Sequence, residues 1–173
     1  MILILIGVTG AGKTTVGALL AQRLNWQFTD ADSFHSHGSI EKMKQGVALT
    51  DADREPWLNA LRIAIAGWIA ARRDTVLACS ALKQRYRESL AVSPDVRFIY
   101  LKADPSQIAD RLSQRSGHFA TERLLSSQFA TLEEPEDALT VDALQPAETV
   151  VAAILKKIVP QLSSGSHIKP GTC

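Results

Sequence analysis

Gly7-Val8-Thr9-Gly10-Ala11-Gly12-Lys13-Thr14 is the stretch that decides how this chain folds. It fits the pattern G-x-x-x-x-G-K-[ST], and its surroundings are those the pattern requires. Before it runs Ile2 to Ile6, an uninterrupted apolar segment of strand length, as expected for a strand buried on both faces of a parallel sheet. After it, Val16, Leu19, Leu20 and Leu24 recur at helical spacing, so a helix starts near Lys13. In such a strand, loop and helix, backbone N–H groups and the positive helix end converge on a polyphosphate. Gly7, Gly10, Ala11, Gly12, Lys13, Thr14 and Thr15 form the candidate nucleotide-binding set. Lys13 reaches the β and γ oxygens and Thr14 ligates Mg²⁺. A glycine turn that merely joins strand to helix is the competing reading, and the flanking pattern argues against it. ATP or GTP is implied, as phosphoryl donor, mechanical fuel or switch ligand.

Working outward, Trp26 to Thr29 reads as a second short strand. From Asp30 to Thr50 the pattern breaks into a long polar excursion, with a short helix over Ile40 to Lys44. Trp57, Leu58, Leu61, Ile65, Trp68 and Ile69 then mark an amphipathic helix, with Asp53 near its cap and Pro56 in its first turn. Thr75 to Cys79 and Val96 to Leu101 are further strands, separated by a helix over Lys83 to Ser89. Pro105 opens a helix through Arg115, Ala138 to Asp142 is the last strand, and Val150, Val151, Ile154, Leu155 and Ile158 define the closing helix. Strands alternating with helices predict an α/β fold on a five-stranded, mostly parallel sheet. Between Ser116 and Pro135 no strand pattern survives, and Ser116-Gly117 offers a hinge for a mobile lid over about 116–135. The expected organisation is one domain over 1–162 and a loose tail over 163–173.

Composition narrows the function classes. A chain of 173 residues with 46% hydrophobic and 21% charged residues is long and apolar enough for one real core. Its formal net charge of +1 supplies no global field for nucleic acid or an anionic membrane. Cys79 and Cys173 make neither a disulfide framework nor a zinc site, which fits a reducing compartment. The first residues lack a basic segment before a short apolar run, and no stretch approaches a membrane span, so a cytoplasmic protein is expected.

Asp30 and Asp32 follow the second strand at the carboxyl edge where α/β sheets bind ligands. Read as extended chain, their i, i+2 spacing points both carboxylates to one side. In phosphoryl transfer one carboxylate can anchor the metal and another can accept the proton of the attacking hydroxyl, so Asp30 is assigned to metal and Asp32 to hydroxyl. For either acid alone a turn or capping duty would be the better reading; two opposite the glycine loop favour chemistry.

The blocks Asp30-Ala31-Asp32-Ser33-Phe34-His35, Leu49-Thr50-Asp51-Ala52-Asp53-Arg54-Glu55-Pro56-Trp57-Leu58 and Ala78-Cys79-Ser80-Ala81-Leu82-Lys83 with Tyr86-Arg87 carry a further signal. With Gly117-His118-Phe119 and Ser127-Gln128-Phe129 downstream, they resemble the gluconokinase family of small P-loop kinases over roughly residues 2 to 158. The resemblance implies the P-loop NTPase fold of the nucleoside-monophosphate and shikimate kinase type, with a lid. It implies ATP-dependent phosphorylation of D-gluconate at its 6-hydroxyl, and a homodimer.

Gluconate is a small polyhydroxy monoanion, so its site needs cations for the carboxylate and polar groups for orientation. Arg54, Lys83 and Arg87 are the candidates, Lys83 and Arg87 lying i, i+4 on a helix from which they can converge on one anion. Tyr86, His35 and His118 complete the acceptor set by the resemblance, while His35 and His37 are no metal pair without further ligands. Arg111 is assigned to adenine stacking and Arg115 to the phosphates as the in-cis catalytic arginine. Gln145, between the last strand and helix, is a candidate at adenine, whereas packing explains Trp26, Trp57 and Trp68 better than ligand stacking, Trp57 lying beside the acceptor pocket. Other small-molecule kinases acting on shikimate, adenylyl sulfate or a nucleoside monophosphate share this donor chemistry. A non-catalytic nucleotide-binding module is the alternative from another class.

Overall fold

The computed structural model describes the backbone of residues 1–113 and 118–165, and the side chains of 1–109 and 124–160. Its elements, in chain order, are β1 Ile2–Ile6, α1 Lys13–Leu24, β2 Gln27–Asp30, a single 3₁₀ turn Ala31–Phe34, α2 His37–Lys44, α3 Asp51–Ala70, β3 Thr75–Ala78, α4 Gln84–Leu90, β4 Val96–Lys102, α5 Pro105–Ser113, α6 His118–Thr131, β5 Leu139–Asp142 and α7 Ala147–Gly165. The five strands form one sheet in the order β2-β3-β1-β4-β5. Every pairing is parallel, with Ile2 in register with Thr75 on one side and Val96 on the other.

β1 sits at the centre, and its alternating sequence divides the core. Leu3 and Leu5 face α1 and α7, packing with Val16, Leu20, Val150 and Ile154. Ile2, Ile4 and Ile6 face α3 and α4, packing with Trp57, Leu61, Ile65, Tyr86 and Leu90. All five residues of the strand are buried, because successive side chains of a strand point to opposite faces and both faces carry helices. The chain leaves β1 for β2 on one flank and passes from β3 to β4 on the other. The carboxyl end of β1 therefore lies at the reversal of strand order, where open α/β sheets bind ligands.

Element ends shift by a few residues from the sequence expectation, and three differences change how the fold is held. Asp53 lies near the cap of α3, as expected, but the cap itself is Thr50, its hydroxyl accepting from the Asp53 N–H while the Asp53 carboxylate accepts from the Thr50 N–H; Asp53 is the third helical residue and Pro56 falls in the second turn, not the first. The helix α7 runs through Pro160 to Gly165, so 163–165 belong to it and not to a tail; residues 166–173 lie outside the described residues. In the expected lid, Leu125 is buried in the core beside α5 and α7, and the Glu133 N–H donates to the Leu82 carbonyl. The second half of 116–135 is thus fastened to the body of the fold, because apolar residues at helical spacing dock α6.

Candidate active site

A cavity of about 720 Å³ opens at the carboxyl edge of the sheet between the loop after β1, the 3₁₀ turn, α2, α3 and α6. Its donor end is built by backbone. Gly7 has φ 142°, and a Cβ there would stand 2.9 Å from the Leu101 carbonyl oxygen, so the loop can leave the strand in this direction only without a side chain. Gly12 caps α1 at φ 88° with no side-chain hydrogen bond, leaving the first-turn N–H groups to whatever anion the loop receives. Gly10, Gly12, Lys13, Thr14 and Thr15 line the cavity. Gly7 and Ala11 support the loop from below, Ala11 buried against the Leu3 and Leu5 face of the core.

Lys13 donates from Nζ to the Val8 carbonyl at 2.9 Å, curling back over its own loop. Burial pushes its pKa down from the ordinary lysine value, and the negative charges of Asp32 and Asp30 oppose that fall. The Cys79 thiol, in the cavity wall just after β3, is pushed up to about 12 by burial and stays protonated.

Both aspartates line the cavity, but not as neighbours on one extended face. The chain turns directly after Asp30, whose Oδ1 accepts from the Asp32 N–H at 3.1 Å and caps the 3₁₀ turn. The capping duty and the chemistry are therefore compatible in one carboxylate. Oδ2 of Asp30 remains directed at the glycine loop and accepts from the Thr14 hydroxyl at 2.9 Å. Asp32 projects freely into the opening, its side chain 72% exposed.

Trp57 and His35 wall the acceptor end. The Trp57 indole N–H donates to the Ala31 carbonyl at 2.8 Å, and its ring stacks on His35 at 4.7 Å between centroids and 6° between planes. Trp57 is thus a core residue and a cavity wall at once. Arg54, one helical turn earlier, lines the cavity, donates to the Leu49 carbonyl and lies 6.0 Å from the centre of the Tyr86 ring, which also borders the space. Leu49, Val47, Met43 and Ile40 complete an apolar flank.

Two cations placed at the acceptor by sequence are corrected. Arg87 is buried, 5% exposed, and donates from Nη1 to the Ala81 and Leu82 carbonyls at 3.1 and 3.0 Å. It tethers the loop between β3 and α4 from beneath, since its position in α4 faces the sheet. Lys83 caps that helix and binds the Asp51 carboxylate at 3.0 Å. The i, i+4 spacing therefore does not bring the two charged heads onto a common partner. Asp51 also accepts from the Tyr86 hydroxyl and pairs with Arg85. The Tyr86 hydrogen bond, then Arg85 and Lys83, hold its carboxyl well below the usual range.

Gln145 donates to Asp142 at 3.1 Å in the turn after β5 and does not line this cavity. The side chains of Arg111, Arg115 and His118 lie outside the described residues. One contact that residue-by-residue reasoning missed is Gln128, whose Oε1 accepts from the Thr9 N–H at 2.6 Å and fastens α6 to the phosphate loop. Its signal was present in the Ser127-Gln128-Phe129 block of the family resemblance.

A glycine loop at the reversal point of a parallel sheet, facing two carboxylates across one cavity, defines a P-loop kinase for a small acceptor. The chain matches the model of the shikimate kinase family over residues 9–159. It is 43% identical over 162 residues to a thermoresistant gluconokinase of Escherichia coli, covering 91% of this chain and 93% of that one. A gluconokinase of Gluconobacter oxydans is 45% identical over 136 residues, covering 78% and 76%. The crystal structure of a gluconokinase from Sinorhizobium meliloti superposes with a TM-score of 0.83 at 36% identity, covering 95% of this chain and 97% of that one. The chain belongs to the shikimate kinase family of P-loop kinases and, within it, to the gluconokinases.

Proposed function

We propose that the protein transfers the γ-phosphoryl group of ATP to the 6-hydroxyl of D-gluconate, with Asp32 as the base for that hydroxyl. The observation that carries this reading is the placement of Asp30 and Asp32 opposite Lys13 in one cavity. Asp30 is held against Thr14, while Asp32 is free to meet an acceptor. Arg54, a cation of the cavity wall, is assigned to the gluconate carboxylate and Tyr86 to its hydroxyls, while His35, which faces Asp32, serves the acceptor end through the Asp32 carboxylate.

Thr14 and Asp30 fit Mg²⁺: both offer hard oxygen atoms, they touch each other at 2.9 Å, and a magnesium ion bound with nucleotide takes only one or two protein ligands beside phosphate and water. The ion would neutralise charge on the phosphate oxygens during transfer. Arg111 and Arg115 are assigned to adenine and phosphates, and Gln145 to the adenine end. The first part of the 116–135 segment is proposed as the lid that brings these arginines over ATP. The family resemblance supports a cytoplasmic homodimer, which light scattering would measure.

The test is phosphorus NMR of the product formed from gluconate and ATP, which reads both transfer and the position phosphorylated. Asp32→Asn is expected to lower kcat by roughly 10²–10⁴ while leaving ATP affinity intact. Turnover with shikimate or a nucleoside monophosphate but not gluconate would sink the assignment of substrate.

A further inference from the structure

His35 closes a loop of contacts around Asp32. The Trp57 indole donates to the Ala31 carbonyl, immediately before Asp32, and stacks on the His35 ring, three residues after it. The His35 N–H in turn donates to the Asp32 carbonyl at 3.2 Å. One indole from α3 thereby holds both ends of the turn that presents the candidate base. The His35 side chain is 6% exposed against 72% for Asp32, so a fixed ring stands beside a free carboxylate.

The ring's two nitrogens have opposite surroundings. Nδ1 is buried and has no hydrogen-bond partner among the described residues. Nε2 lies 3.9 Å from Asp32 Oδ1. A proton on Nδ1 would strand a donor in a dry place and turn the Nε2 lone pair toward an anion; both cost free energy. A proton on Nε2 leaves only a lone pair stranded and directs an N–H at the carboxylate. Protonating both nitrogens would bury a donor with no partner; burial lowers the ring's pKa, and although the Asp32 charge opposes that fall, Arg54 adds to it.

We infer that His35 is a positioning residue, locked as the neutral Nε2–H tautomer, whose N–H orients the Asp32 carboxylate toward the acceptor hydroxyl. The separation of 3.9 Å is beyond a hydrogen bond, so the contact forms when the exposed Asp32 side chain turns inward to meet the acceptor. The N–H then holds one carboxylate oxygen and the other is left facing the hydroxyl. This rests on Asp32 being the acceptor-side base.

Nitrogen-15 NMR of the imidazole in the full-length protein at neutral pH reads the tautomer directly, with protonated Nε2 and bare Nδ1 expected. The second arm compares two amides. His35→Gln places its N–H where Nε2 stood and is expected to retain more of the kcat than His35→Asn. His35→Asn places its N–H at the Nδ1 position and is expected to lose on the order of 10–100-fold in kcat with the KM for ATP unchanged. A proton on Nδ1, a doubly protonated ring, or equal kcat for the two variants overturns the inference. If Asp32→Asn keeps its turnover, the reading of Asp32 fails instead, and the tautomer measurement stands apart from that outcome.

Discussion

The two ends of the cavity are built by different means. At the donor end, the backbone of the loop from Gly7 to Gly12 makes the surface, and its shape follows from positive φ angles and a close approach to Leu101. At the acceptor end, the 3₁₀ turn, α2 and α3 are joined by side chains: Lys42 to Asp53 at 2.7 Å, Trp57 to Ala31, and Lys83, Arg85 and Tyr86 to Asp51. A phosphate chain is the same in every substrate of such enzymes, so a rigid backbone cradle suffices. An acceptor has individual hydroxyls and a carboxylate, and only side chains carry the variety needed to recognise them.

That contrast can be broken by substitution. At the donor end the largest effect is expected from Lys13→Met, the one cationic side chain within the phosphate loop, which should lower kcat by on the order of 10²–10³ with the melting temperature little changed. Retention of activity within about tenfold would show that backbone alone carries the donor end. Gly7→Ala comes next. Its Cβ would meet a backbone carbonyl oxygen at 2.9 Å, and the strain of roughly 1–3 kcal/mol should appear as a lower melting temperature together with weaker ATP binding. An unchanged melting temperature would mean that the loop has another way out of β1.

Thr50→Ala tests the acceptor end. Loss of the cap of α3 should cost about 1 kcal/mol in urea denaturation and raise the KM for gluconate more than that for ATP. Equal shifts in both constants would deny that α3 belongs to the acceptor side alone. The smallest effect concerns acid. Lys42 first, then Thr50, lower the Asp53 carboxyl to about 2. A carboxyl depressed in the folded state stabilises it above the unfolded value near 4, and that contribution fades as pH falls toward 2. Asp53→Asn should therefore flatten the loss of stability between pH 4 and 2 in low salt, read from urea midpoints. A variant as acid-sensitive as the parent would discount the Lys42 pair.

The fold was legible because its signals are periodic or positional. Ile2 to Ile6, the helix spacing from Val16 and the glycine loop each imply one local structure, and the sheet follows from their alternation. The site was legible where a motif fixes a backbone, as at Lys13, Thr14 and Asp30. It was less so where a helix's rotation decides: i, i+4 spacing put Lys83 and Arg87 together, but Lys83 is the residue before the first turn and Arg87 faces inward to backbone carbonyls. No spacing rule relates Asp51 to Arg85 or Thr9 to Gln128, because those contacts depend on how α3, α4 and α6 dock on the sheet.

The division of β1 between two cores has a consequence for motion. A strand whose Leu side chains belong to one layer and whose Ile side chains belong to the other cannot slide or tilt without disturbing both. The phosphate loop is its direct continuation, so it inherits the slowest-opening part of the molecule as its foundation. Whatever element of the acceptor side travels during a catalytic cycle, β1 is the fixed origin from which its displacement is counted.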